Sequence, residues 1–203
     1  MRFLLITLLA CFLFPVQAAA YDYSAVTSAP EIIKALDLLK NHNKATEKTF
    51  NTIFGDNLTQ KPITIRFYDL SQMNFTYRKY DALTCIHKKS GRLFIFINTV
   101  HKGAPAEAIA SLLSHEVIHQ DAQSSYQEEV AAWTAEATTW KSFKEAYPEL
   151  NKDSLNKYPL VERLNTLEKM YVKANYTTAL ISKEVYANAG YKGLPEYSPG
   201  FGI

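Results

Sequence analysis

Cysteine is nearly absent from this chain: its 203 residues include two, Cys11 and Cys85. Cys11 falls inside an N-terminal apolar run, so removal of that run leaves Cys85 alone and no intramolecular disulfide can form. The fold must then be held by its core. Cys85 sits in the strand-like stretch "ALTCIHKK", where a small packing residue is expected rather than a nucleophile. An excess of one charge is lacking too. There are 22 Lys and Arg against 20 Asp and Glu, a formal net charge of +2, and the basic residues are scattered rather than grouped in a stripe that could follow a phosphate backbone. No nucleic-acid partner is expected. Beyond the first twenty residues no apolar run is long enough to span a bilayer, and there is no internal repeat or low-complexity tract.

What is present begins with "MRFLLITLLACFLFPVQAAA", residues 1–20. Arg2, an apolar run from Phe3 to Val16 and a closing set of small residues read as a secretory signal peptide, with cleavage after Ala18 or Ala20. A retained anchor needs roughly 17 or more apolar residues, and this run is shorter. The expectation is a secreted or periplasmic protein with no stable membrane insertion after cleavage. Residues 21–203 are then a single domain, and a composition of 47% hydrophobic and 21% charged residues lies within the globular range. Sequons at Asn57, Asn74 and Asn175 matter only in a eukaryotic secretory pathway.

Hydrophobic spacing predicts an α+β fold. In "SAPEIIKALDLLKNH", Ser28 and Glu31 form a capping-box pattern, Pro30 suits a first turn, and Ile32, Ile33, Leu36 and Leu39 recur at helical spacing. A second helix is expected from about Thr46 to Phe54, stopping at Gly55. "KPITIRFYDL" alternates as a half-buried strand, and "ALTCIHKKSGRLFIFINT" reads as two strands joined at "KKSG". The result is a small sheet of about three strands packed on a mainly helical domain. A helix from Pro105 to about Ala122 follows, then one from "SSYQEEV" that ends before Pro148, one over 159–173 and one over 178–188. The tail "GYKGLPEYSPGFGI" has no periodicity and is expected as an irregular segment, packed over the domain or loose.

The chemistry lies in "SLLSHEVIHQD", residues 111–121. On a helix of about 100° per residue, His119 falls about 40° from His115, beside Ala108, Ser111 and Ala122, so small residues leave room between the two rings. Two histidines at i and i+4 can reach one zinc ion, while Glu116, turned about 100° aside, is placed to act as a general base. A catalytic zinc site needs a third protein ligand and an open position for water. The adjacent glutamates of "YQEEV" supply it. Ser125 and Glu128 read as a capping box that would occupy Glu128, which makes Glu129 the preferred ligand, with Glu128 the alternative.

"HEVIH" followed by "EEVAAW" resembles the zincin metallopeptidases, and within them the gluzincin arrangement with a glutamate third ligand. The likeness covers roughly Leu93 to Trp140 and implies a zincin-like fold with the HExxH helix at its centre. The metzincin pattern is excluded, because "QDAQSSY" holds neither the glycine nor the third histidine. One departure stands out. The Asp that such enzymes carry four residues after the ligand glutamate is missing, with Ala132 or Trp133 in its place, so the partner that tunes the histidines is unassigned. The resemblance implies an exported zinc metallopeptidase acting on a peptide or protein substrate. Zinc on His115, His119 and Glu129 lowers the pKa of its water, Glu116 takes the proton, and the nucleophile attacks a peptide carbonyl. Either "RLFIFINT" or "ALTCIHK" would pair with the extended substrate. An exported zinc-binding or interaction protein without turnover, and a zinc amidase acting on cell-wall peptide bonds, are the alternatives. Tyr171, Tyr176, Tyr186 and His101 are candidates for a transition-state hydrogen-bond donor. His42 and His87 are expected as ordinary surface residues, and Trp133 and Trp140 as core.

Overall fold

A computed structural model describes residues 21–57, 59–120 and 123–198, so the expected signal peptide and Ala122 lie outside the described residues. The first helix, α1 (Pro30–Asn41), presents Ile32, Ala35, Leu36 and Leu39 to the core. Its start differs from the capping-box reading. Ala29, not Ser28, is the N-cap and makes no side-chain cap; Thr27 instead accepts the Ala29 N–H at 3.2 Å, and Pro30 at the first helical position has no N–H to satisfy. Helix α2 (Lys44–Phe54) begins two residues earlier than its apolar spacing predicts. Asn43 and Thr46 cap it reciprocally there, and it ends at Gly55.

The sheet has three strands, β1 (Thr64–Tyr68), β2 (Ala82–Ile86) and β3 (Leu93–Asn98), in the order β1-β3-β2. β3 lies parallel to β1, with Ile65 opposite Ile95, and antiparallel to β2, with Thr84 also opposite Ile95. Period-2 alternation puts Ile65, Leu93, Ile95 and Ile97, all fully buried, on one face against the helices. Since β3 is the central strand, "RLFIFINT" has both edges occupied and is ruled out as a strand open to a peptide; β1 and β2 are the edge strands, and of the two candidate stretches only "ALTCIHK" lies on an edge. The segment between β1 and β2 is fastened by buried Asn98. Its Nδ2 donates to the Arg78 and Tyr80 carbonyls at 3.2 and 2.9 Å.

Helix α3 (Ala106–Glu116) packs against α1 and, most extensively, α4 (Tyr126–Ala146). Every residue from Ala108 to Glu116 is buried, as expected of a helix apolar or functional on most of its circumference. The helix expected over 105–122 nevertheless ends at Glu116. Ile118 and His119 donate to His115 and Glu116 carbonyls, an i→i+3 tightening, and Gln120 Nε2 caps the Val117 carbonyl at 2.8 Å. Helix α4 serves two apolar clusters: Trp140 and Phe143 join the sheet and α1–α3, while Val130 and Ala137 meet Leu167, Ile181 and Val185 from α5 (Pro159–Lys173) and α6 (Ala179–Ala187). Both helices match their expected spans to within a residue.

Asn98→Ala removes both hydrogen bonds that the buried amide gives to the Arg78 and Tyr80 carbonyls. It should lower unfolding free energy by about 1–3 kcal/mol in urea titrations, and a change within about 0.5 kcal/mol would show that the segment is held by other contacts.

Candidate metal centre

The last turn of α3, which carries His115, and the tightened turn after it, which carries His119, face the first turn of α4. His115 Nε2 and His119 Nε2 each lie 3.9 Å from an oxygen of Glu129, the imidazole centroids are 5.2 Å apart, and one donor atom from each residue falls within 4.8 Å of the other two. A tetrahedral ion with bonds near 2.1 Å holds its ligand atoms about 3.4 Å apart, so a small inward movement would close the set. These three residues could hold a metal ion. Glu129 Oε1 accepts from Ser124 at 2.9 Å, but Oε2 is buried without a hydrogen-bond partner, as an oxygen reserved for a cation would be.

Each histidine is backed by a carboxylate. His119 Nδ1 is 2.8 Å from Glu128 Oε1, and His115 Nδ1 lies 3.2 Å from Glu136 Oε2 at a skewed angle. Such contacts fix the ring so that Nε2 faces the site. Glu128 is therefore a backing residue and Glu129 joins the cluster, though not for the reason the capping box suggests. Ser125 does accept the Glu128 N–H at 3.3 Å, but the Glu128 carboxylate turns to His119 and to Ser198, whose hydroxyl donates at 2.9 Å. Burial disfavours the His119 cation, yet the hydrogen bond to Glu128 and the charges of Glu129 and Glu116 outweigh it and push the imidazole up to about 9.

Glu136 is the partner of His115 that spacing leaves unassigned. It lies two turns along α4 from Glu129 and is fully buried. Arg163 of α5 donates to both its oxygens, and through Nε also pairs with Asp81. Asp81 in turn holds His101 Nε2 at 2.7 Å. Burial works to raise the Glu136 pKa, but Arg163 and His115 outweigh it and hold the carboxylate below its usual range. Asp81 is held low in the same way, by His101 and Arg163 against burial.

Glu116 points elsewhere. Its Oε2 accepts from Thr84 Oγ1 of β2 at 2.6 Å, and the same hydroxyl lies 3.1 Å from the Glu116 carbonyl. The other expected roles sort clearly. His101 is buried against Asp81, Tyr176 and Tyr186 are exposed, and Tyr171 packs in the α4–α6 cluster; none of the four is hydrogen-bonded or ion-paired to His115, His119 or Glu129. Tyr191 is the residue that spacing missed. Its hydroxyl accepts the Trp133 indole N–H at 3.0 Å, and burial and the Glu129 charge drive its pKa far up. It sits in the tail without periodicity, where no pattern marks it. Trp133 is accordingly half-buried, while Trp140 is core. His42 is no surface residue: half-buried, it bonds Ser142 and packs on Phe143. His87 is exposed, and Cys85 is half-buried in β2.

Compared with known protein families, curated proteins and solved structures, the chain matches none.

A carboxylate with a depressed folded pKa adds stability that is present above its unfolded value, near pH 4, and lost as pH falls through the folded one. Asp81→Asn, unfolded in urea with chelator present, should therefore cost about 1–3 kcal/mol at pH 7 and progressively less below pH 4. An equal cost at both ends would show that charge is not what Asp81 contributes.

Proposed function

We propose that this chain is an exported zinc metallopeptidase of the gluzincin type. The observation that carries the reading is the convergence of His115, His119 and Glu129, each imidazole backed by a carboxylate, with Glu116 held apart from that set by Thr84. Three neutral or anionic N and O donors suit zinc. The buried carboxylates Glu116, Glu128 and Glu129 have no Lys or Arg partner among the described residues, so the region favours a bound cation. An ion held there would supply an acidified water and polarise a substrate carbonyl.

The protein's own groups do the rest. Glu116 accepts the proton of the attacking water and passes it to the leaving amine; the Thr84 hydroxyl orients its carboxylate. Thr84 belongs to the edge strand, so a peptide that adds to the free edge of β2 lies beside Glu116. Tyr191, kept protonated by burial and by Glu129, donates a hydrogen bond to the oxygen that gains charge. The N-terminal apolar run supports export.

Glu116→Gln should keep stoichiometric zinc and lose casein cleavage by about 10²–10⁴-fold, whereas His115→Ala, His119→Ala and Glu129→Ala lose the zinc. Wild-type protein that holds zinc but cleaves neither casein nor a cell-wall peptide would be a binding protein instead. Tyr191→Phe should lower kcat by about 10²-fold with zinc content and KM little changed; unaltered kcat removes the tyrosine from the mechanism.

A further inference from the structure

Residues 195–198 of the irregular C-terminal stretch make hydrogen bonds to the first turn of α4 and to Tyr186 of α6. A helix leaves its first N–H groups without intrahelical partners. Here the Pro195 and Glu196 carbonyls accept from Tyr126 and Gln127 at 2.9 and 3.1 Å, and the Glu196 side chain takes Gln127 Nε2 at 2.7 Å and the Tyr186 hydroxyl. Ser198, itself buried, then donates to Glu128 Oε2 at 2.9 Å, while the other oxygen of Glu128 holds His119 Nδ1. A continuous path of hydrogen bonds runs from the tail to an imidazole of the metal cluster.

We infer that residues 195–198 are a clamp on the metal centre, with Ser198 the positioning residue that sets His119 through Glu128. This rests on the reading of His115, His119 and Glu129 as zinc ligands. A buried carboxylate needs its acceptors filled. Without the Ser198 hydroxyl, Glu128 Oε2 is unpaired, and the carboxylate reaches a donor only by turning toward water and releasing His119. The coupling is reciprocal: zinc on His119 Nε2 leaves Nδ1–H to donate to Glu128, which holds the tail down.

The test is zinc affinity at pH 7, by competition with a chelating dye, for wild type, Ser198→Ala and Ser198→Thr, together with amide exchange at Tyr126 and Gln127 with and without zinc. Ser198→Ala should bind zinc about 10-fold more weakly or worse, Ser198→Thr should recover most of that affinity, and zinc should slow exchange at both amides in wild type. Equal affinity in Ser198→Ala and wild type, or zinc-independent exchange, overturns the clamp while leaving the zinc site intact. Equal loss in both variants marks a packing effect and overturns the role of the hydroxyl. Wild type that binds no zinc overturns the functional reading and the clamp with it.

Discussion

Buried negative charge is the constraint on which the rest of the structure depends. Glu116, Glu128, Glu129 and Glu136 are all in the interior where α3 meets α4, and an ionised carboxylate out of water is strongly unfavourable unless it is paired. Each has a different partner. Glu136 has Arg163, Glu128 has His119 and Ser198, Glu116 has Thr84, and Glu129 has Ser124 with one oxygen left open. A hydroxyl satisfies a lone pair without cancelling a charge. The uncancelled charge therefore accumulates where two Nε2 atoms face Glu129, which is where a divalent ion would be most stable.

The same constraint accounts for the placement of Arg163. Arg163 reaches from α5 to the fully buried Glu136 and out to Asp81 beside the sheet. Loss of one partner from such a pair leaves an uncompensated buried charge and typically costs about 3–5 kcal/mol. Helix α5, the start of β2 and the His115 end of α3 are thereby tied by a single guanidinium. The geometry of His115 depends on an ion pair formed at some distance from it.

Local pattern made much of this legible. Spacing predicts the helices and the hairpin, and the HExxH spacing finds His115 and His119, because both depend on residues within one or two turns. The limits are equally physical. Ser125 and Glu128 match a capping box, yet only the serine half forms, because a tertiary partner, His119, competes for the glutamate. Glu136 stands two turns from Glu129 on the same helix and could have been suspected from that spacing. Nothing local marks Arg163, Tyr191 or Ser198. Their partners lie 27 to 82 residues away in the chain.

Both turns that carry the site are helix ends, and that placement follows from the charges. The partial positive charge at the N-terminus of α4 favours Glu128 and Glu129, while the partial negative charge at the C-terminus of α3 favours protonated or metal-bearing histidines. Each helix thus presents to the other the charge its own dipole stabilises. Helix ends, however, fray, because their terminal N–H and C=O groups lack intrahelical partners. The two ends are closed by different means: Thr84 of β2 bonds the Glu116 carbonyl at the end of α3, and the Pro195 and Glu196 carbonyls cover the start of α4. The sheet edge and the C-terminal tail therefore do for these two turns what the apolar clusters do for the helix interiors: they fasten the ends that carry His115, His119 and Glu129.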